Sequence, residues 1–249
     1  MRTNLHLAAT LLLIGATTSG VQTTRAQITN PDNLIAPPPP NPAQHQPIHP
    51  ADDLQYLWQY TRPTPLGRAN DLRLDARFQT FLHDDFKQPQ SIWGTEAPQP
   101  LAAIIPLFLT RYGAVTADHN RYLAIDGCVP RFCPASGLLW IDLGRPHPLA
   151  VFAAVTWNPD AHTIDEPAAD YNLSLFSNRS LSPDQLPLAL TEAIAHWNIR
   201  LASAHRLVPH IAHALLIEPD GTPHPLDPAM AGANTIAPQP DIAQPATSN

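Results

Sequence analysis

Proline placement constrains this chain more than any other feature. Each proline removes a backbone donor and fixes φ, so regular helices and central strands have to form between prolines. Of the 30 prolines among 249 residues, eight fall in 27–50 and seven in 219–249. Pro37-Pro38-Pro39-Pro40 predicts an extended, polyproline-type linker over 27–50, with a docking peptide as the alternative. Residues 219–249 combine Pro, Ala, Gln and Asp with little aromatic content, the composition of a disordered tail. Residues 51–218 are then the expected single globular domain, of a size that supports one hydrophobic core.

The N-terminus has a charged start at Arg2, an apolar run from Leu5 to Ala16, and Ala26 ahead of Gln27. That pattern reads as a secretory signal peptide over 1–26, and the run is too short to span a bilayer. A periplasmic or secreted location is therefore expected. The whole chain carries 14 cations and 21 acids, a net charge of −7, and removing Arg2 and Arg25 makes it −9. Lys87 is the single lysine. With no basic footprint, neither nucleic acid nor an anionic membrane is an expected partner, and no membrane insertion is expected.

Inside 51–218 the hydrophobic period alternates. Leu74, Phe78, Phe81, Leu82 and Phe86 recur at helical spacing, with Asn70 or Asp71 as the candidate N-cap. A second helix is predicted after Ser182-Pro-Asp-Gln, presenting Leu186, Leu190, Ile194 and Trp197. Pro187 allows the regular helix to begin there instead. Strands are predicted near 107–116, 121–127, 137–143, 149–157 and 171–177, and Ile211–Ile217 reads as either strand or helix end. The turns are Asp118-His119-Asn120, Gly144-Arg145-Pro146 and Asn158-Pro159-Asp160. Connections this short favour antiparallel neighbours. The predicted class is α+β: an antiparallel β-sheet of about five strands with packed helices, flanked by proline-rich tails.

Chemistry concentrates in Cys128-Val129-Pro130-Arg131-Phe132-Cys133, between two predicted strands. Two cysteines five positions apart in an exported chain predict a local disulfide. So small a ring stabilises by only roughly 2 kcal/mol, and its main effect is to freeze the loop with the help of Pro130. Val129, Pro130, Arg131 and Phe132 are the candidate partner-binding residues, because Arg and aromatic side chains favour binding hot spots. The plainer alternative is a staple that only tightens a β-turn. The spacing is not that of a Cys-x-x-Cys redox pair, and His119 and His147 make poor additional zinc ligands.

No nucleophile elbow, phosphate-binding glycine loop or His-Glu-x-x-His motif occurs. No catalytic residue, metal site or cofactor is expected. His205, His210 and His213 lack an evident carboxylate partner for a metal, and Asp84-Asp85 and Asp165-Glu166 read as solvated acidic pairs. Trp140, Trp157 and Trp197 lie in apolar segments and read as core. Tyr56, Trp58 and Tyr60 read as a helix face against the sheet, with an exposed glycan-contacting strip as the alternative.

The stretch Tyr122–Ile141, Y-L-A-I-D-G-C-V-P-R-F-C-P-A-S-G-L-L-W-I, resembles the core of the Ivy family of periplasmic lysozyme inhibitors. Cys128, Pro130 and Cys133 match that family's Cys-Lys-Pro-His-Asp-Cys loop between strands. Phe78, Phe81 and Leu82, then Pro89 and Trp93, follow the order of its N-terminal half, and Leu149–Thr156 falls where its next strand begins. The resemblance covers about residues 70–157. Arg131 stands where the family has the histidine that enters the lysozyme cleft, Val129 replaces the lysine and Phe132 the aspartate. The resemblance implies an Ivy-like fold and a non-enzymatic muramidase inhibitor that inserts the 128–133 loop. A guanidinium can bind cleft carboxylates bidentately, and an acidic chain is steered toward basic lysozymes. The second expectation is a non-inhibitory periplasmic or cell-envelope binding module that reuses the fold.

Overall fold

Short turns and alternating apolar residues make the middle of the chain a meander of antiparallel strands. The computed structural model describes residues 53–61, 68–91, 97–110, 113–158, 170–205 and 210–235. These all lie in the unit Pro47–Asn249. The predicted signal peptide and linker fall outside the described residues, as does the turn beyond Asn158.

The main sheet contains β3 (Val115–Asp118), β4 (Tyr122–Val129), β5 (Phe132–Asp142), β6 (Leu149–Trp157), β7 (Asp170–Ser177), β8 (His210–Ile217) and β9 (Pro223–Leu226). Their spatial order is their chain order, and β1 (Pro89–Gln90) pairs separately with β2 (Gln99–Pro100). All neighbours in the main sheet are antiparallel except β7 and β8, which run parallel. A parallel pair needs a crossover, here containing helix α4 (Leu188–His205). The α+β class stands, with seven strands in the sheet in place of about five.

The first face of the sheet is packed by a 3-10 helix (Gln55–Thr61), α1 (Ala69–Leu74), α2 (Ala76–Asp85) and α3 (Leu101–Phe108). Phe78, Phe81, Leu82 and Phe86 are buried there with Leu123, Ile125, Leu139, Ile141 and Phe152. The opposite face buries Trp140, Val151, Leu173 and Leu216 against Leu190, Ile194 and Trp197 of α4. Tyr56, Trp58 and Tyr60 are half-buried against the first core, and Trp157 against the second.

Several expectations need correction. The helix predicted to include Leu74 is broken at Asp75, whose carboxylate accepts the Arg77 N–H at 2.9 Å and caps α2. Leu74 is consequently exposed, and Asp75 replaces Asn70 or Asp71 as the side-chain cap. The strand predicted over 107–116 is the end of α3 followed, from Val115, by β3. Leu101, Ile104, Ile105 and Phe108 are buried at i, i+3, i+4 and i+7, a helical face that outweighs Pro106. Ser182 precedes a 3-10 turn (Pro183–Gln185), and α4 starts only after Pro187.

The tail predicted from 219 is ordered at least to 235. Pro223 and Pro225 sit in the outermost strand, β9, where missing backbone donors cost least. Asn234 then returns to β8: its Oδ1 accepts the Ile211 N–H at 2.8 Å and its Nδ2 donates to the Ile211 carbonyl at 2.9 Å. Ala231 and Ala233 are buried in the second core. Residues 236–249 lie outside the described residues.

Candidate functional site

The cysteine loop is the tip of the β4–β5 hairpin. Cys128 and Cys133 are disulfide-bonded, and the ladder closes with Val129 opposite Phe132. Only Pro130 and Arg131 remain between the strands, and both are exposed. Arg131 has φ of 66°, which with proline ahead of it follows the pattern of a type II turn. That turn position normally holds glycine or asparagine, since an L side chain there costs about 1–2 kcal/mol. Arg131 forms no hydrogen bond or ion pair with any described residue.

The rest of the loop faces inward. Cys128 is buried, Cys133 half-buried, and Val129 and Phe132 are half-buried against the first core. The four residues predicted to bind a partner thus divide into an exposed pair and a supporting pair. Ser136 Oγ donates to the Cys133 carbonyl at 2.7 Å, fixing the chain as it leaves the ring.

The stem below the loop is held from both faces. Gly127 and Gly137 are opposite each other in the ladder. A Cβ on Gly137 would stand 2.6 Å from Phe108 Cβ, and one on Gly127 would stand 2.7 Å from the Leu109 backbone. The end of α3 therefore rests directly on the hairpin backbone, which only glycine permits. On the opposite face, buried Asp126 accepts from Arg200 Nε of α4 at 2.7 Å and from the Ala114 N–H at 3.0 Å. One carboxylate thus links the stem to α4 and to the residue before β3.

At the other end of the hairpin, Asp142 is gripped by Arg121 through Nε at 2.7 Å and Nη2 at 2.8 Å. Arg145 and the Gly144 N–H reach the same carboxylate. Burial pushes its pKa up, but the Arg121 bonds, the Gly144 N–H and Arg145 together hold it below the ordinary carboxylate value. Asp75 is held down to about 2, chiefly by the Arg77 hydrogen bond against the effect of burial, with the Tyr60 hydroxyl assisting. Both carboxylates are engaged by structural partners.

His210 and His213 lie on β8, and His210 does have a carboxylate neighbour, its Nδ1 standing 2.7 Å from Asp170 Oδ1. Among the described residues, no group of three His, Cys, Asp or Glu side chains gathers as metal ligands. Among those residues, too, no helix is long and apolar enough to cross a membrane. Asn178, just after β7, is engaged internally, accepting the Ala150 N–H at 2.9 Å and donating to the Pro148 carbonyl at 3.1 Å. The glycine pair and the Asp126–Arg200 link were missed in the sequence reading. Glycines within two predicted strands were the available signal for the pair, whereas nothing local joins Asp126 to Arg200.

No protein-family model matches this chain, and neither a curated protein nor a solved structure matches it.

Proposed function

We propose that the protein is an exported, non-enzymatic inhibitor of a muramidase that presents Arg131 to the carboxylates of the enzyme cleft. The observation that carries this reading is a strained, exposed arginine, unpaired among the described residues, at the tip of a disulfide-closed hairpin. Residues held in sparsely populated backbone regions cluster at ligand clamps and binding sites. The guanidinium provides a planar fork for bidentate carboxylate binding, and Pro130, the disulfide and the glycine-seated stem limit the entropy lost on docking. The resemblance of Tyr122–Ile141 to the Ivy family supplies the target class, and the acidic net charge favours approach to a basic enzyme.

The test is turnover of cell-wall substrate by c-type, g-type and i-type lysozymes, titrated with oxidised protein beside Arg131→Ala and Arg131→Gly. Wild type should inhibit at least one enzyme, and either substitution should weaken that inhibition roughly a hundredfold. Arg131→Gly should meanwhile stabilise the fold by about 0.5–1 kcal/mol by relieving the positive φ, separating loss of binding from loss of structure. Absence of inhibition of all three types at micromolar protein would refute the proposal.

The second reading, a cell-envelope binding module, is favoured by one separate observation. The β6–β9 part of the first sheet face carries an open, mixed polar and apolar groove.

A further inference from the structure

Among the described residues, the helices that pack the first sheet face cover β4–β6 and leave part of β6–β9 open. Three cross-strand rows lie in that opening. Thr156, Asn172 and His213 form the outermost row, Ser174, Leu215 and Pro225 the next, and Phe176, Ile217 and Pro223 the innermost. The floor therefore grades from polar to apolar toward the helical layer, where Phe176 and Ile217 join the core. Gln90 and Gly221 contribute to the walls. The cavity measures about 760 Å³, within the range of small-molecule sites.

Two features make this more than an uncovered face. Thr156, Asn172, Ser174 and His213 form no side-chain hydrogen bond with any described residue, and Asn172 Oδ1 is buried without a partner. Hydroxyl, amide and imidazole groups without internal partners supply donors and acceptors to a ligand. The β7–β8 ladder is also irregular here: Tyr171 pairs with Ile211 but Asn172 with His213, leaving Ala212 as an extra residue within the groove lining. Bulges of this kind re-aim side chains beside binding sites.

The chemistry selects the occupant. Among the described residues, the lining contains no Asp, Glu, Lys or Arg, so none of them rewards an ionised ligand. An extended peptide would need a free strand edge, and the adjacent edge strand β9 has Pro223 and Pro225 in place of backbone donors. Hydroxyls and amides spread over a sheet face, beside Leu215 and two prolines, match a molecule with many hydroxyls and an apolar ring face. We propose that this groove binds a neutral oligosaccharide. The proposal is independent of muramidase inhibition, because it uses different strands and requires no enzyme.

Calorimetric titration of the full-length protein with tri-N-acetylchitotriose and with maltotriose, in the absence of any muramidase, tests it. At least one should bind, and Asn172→Ala and Leu215→Arg should each weaken that binding about tenfold or more with thermal unfolding unchanged. If Leu215→Arg does not fold, Thr156→Val takes its place, with the same direction of change expected. Failure of both saccharides to bind at about 10 mM would overturn the proposal. So would binding indifferent to these substitutions, or binding confined to an uncharged proline-rich peptide run in parallel.

Discussion

The two halves of the sheet are built from similar strands but finished differently. In the β4–β6 half, helices cover both faces, and β5 and β6 read as nearly continuous buried runs. In the β7–β9 half, one face is buried in the core that includes α4, and among the described residues the other stays partly open. There β8 alternates exposed and buried positions, with His213 and Leu215 in the open. The contrast shows how one sheet can carry two kinds of surface. Double cover makes a stiff stem that holds an exposed turn, and single cover leaves side chains free to meet a ligand.

Paired substitutions test that contrast most strongly. Phe152→Ala, in the doubly covered half, should cost about 3–5 kcal/mol in urea unfolding, whereas Leu215→Ala should stay within about 0.5 kcal/mol. Equal effects would mean that both halves are packed alike. Gly137→Val should cost about 2–3 kcal/mol, because its side chain would enter space held by Phe108 and the ring of Phe152. A small effect there would show that α3 does not rest on the hairpin.

The smallest effect is the acid response of the covered half. Asp75 is depressed from 3.8 to about 2, so its contribution is complete above about pH 4 and is lost as pH falls toward 2. The urea midpoint should decline over that window, and Asp75→Asn should flatten the decline. An unchanged slope would remove Asp75 from the acid response.

Legibility in the sequence followed the clarity of the hydrophobic period. The extents of β4, β6 and β7 and most buried positions of α2 and α4 could be read because their apolar period is set by cover from neighbouring layers, whereas β5 begins at Phe132, well before the expected 137. The open half was harder. His210 and His213 obscured the pattern of β8, and the prolines of β9 matched a disordered tail until their edge position was known. α3 was missed because an apolar run with Pro106 resembles a buried strand, although Leu101, Ile104, Ile105 and Phe108 kept helical spacing. The cysteine ring was readable from spacing and compartment. Its division into an exposed Pro130–Arg131 turn and inward-facing Val129 and Phe132 required the β4–β5 register and the core beneath it. The groove residues were scattered over four strands, and their shared face emerged only with the pairing of β7 and β8.

The most direct test of the inhibitor proposal is the amide NMR spectrum of the labelled protein as an unlabelled muramidase is added. Shifts or broadening should centre on Val129, Arg131, Phe132 and Cys133 and spare Asn172, Ser174, His213 and Leu215. Perturbation centred on the groove, or none at saturating enzyme, would contradict a muramidase-directed Arg131 turn.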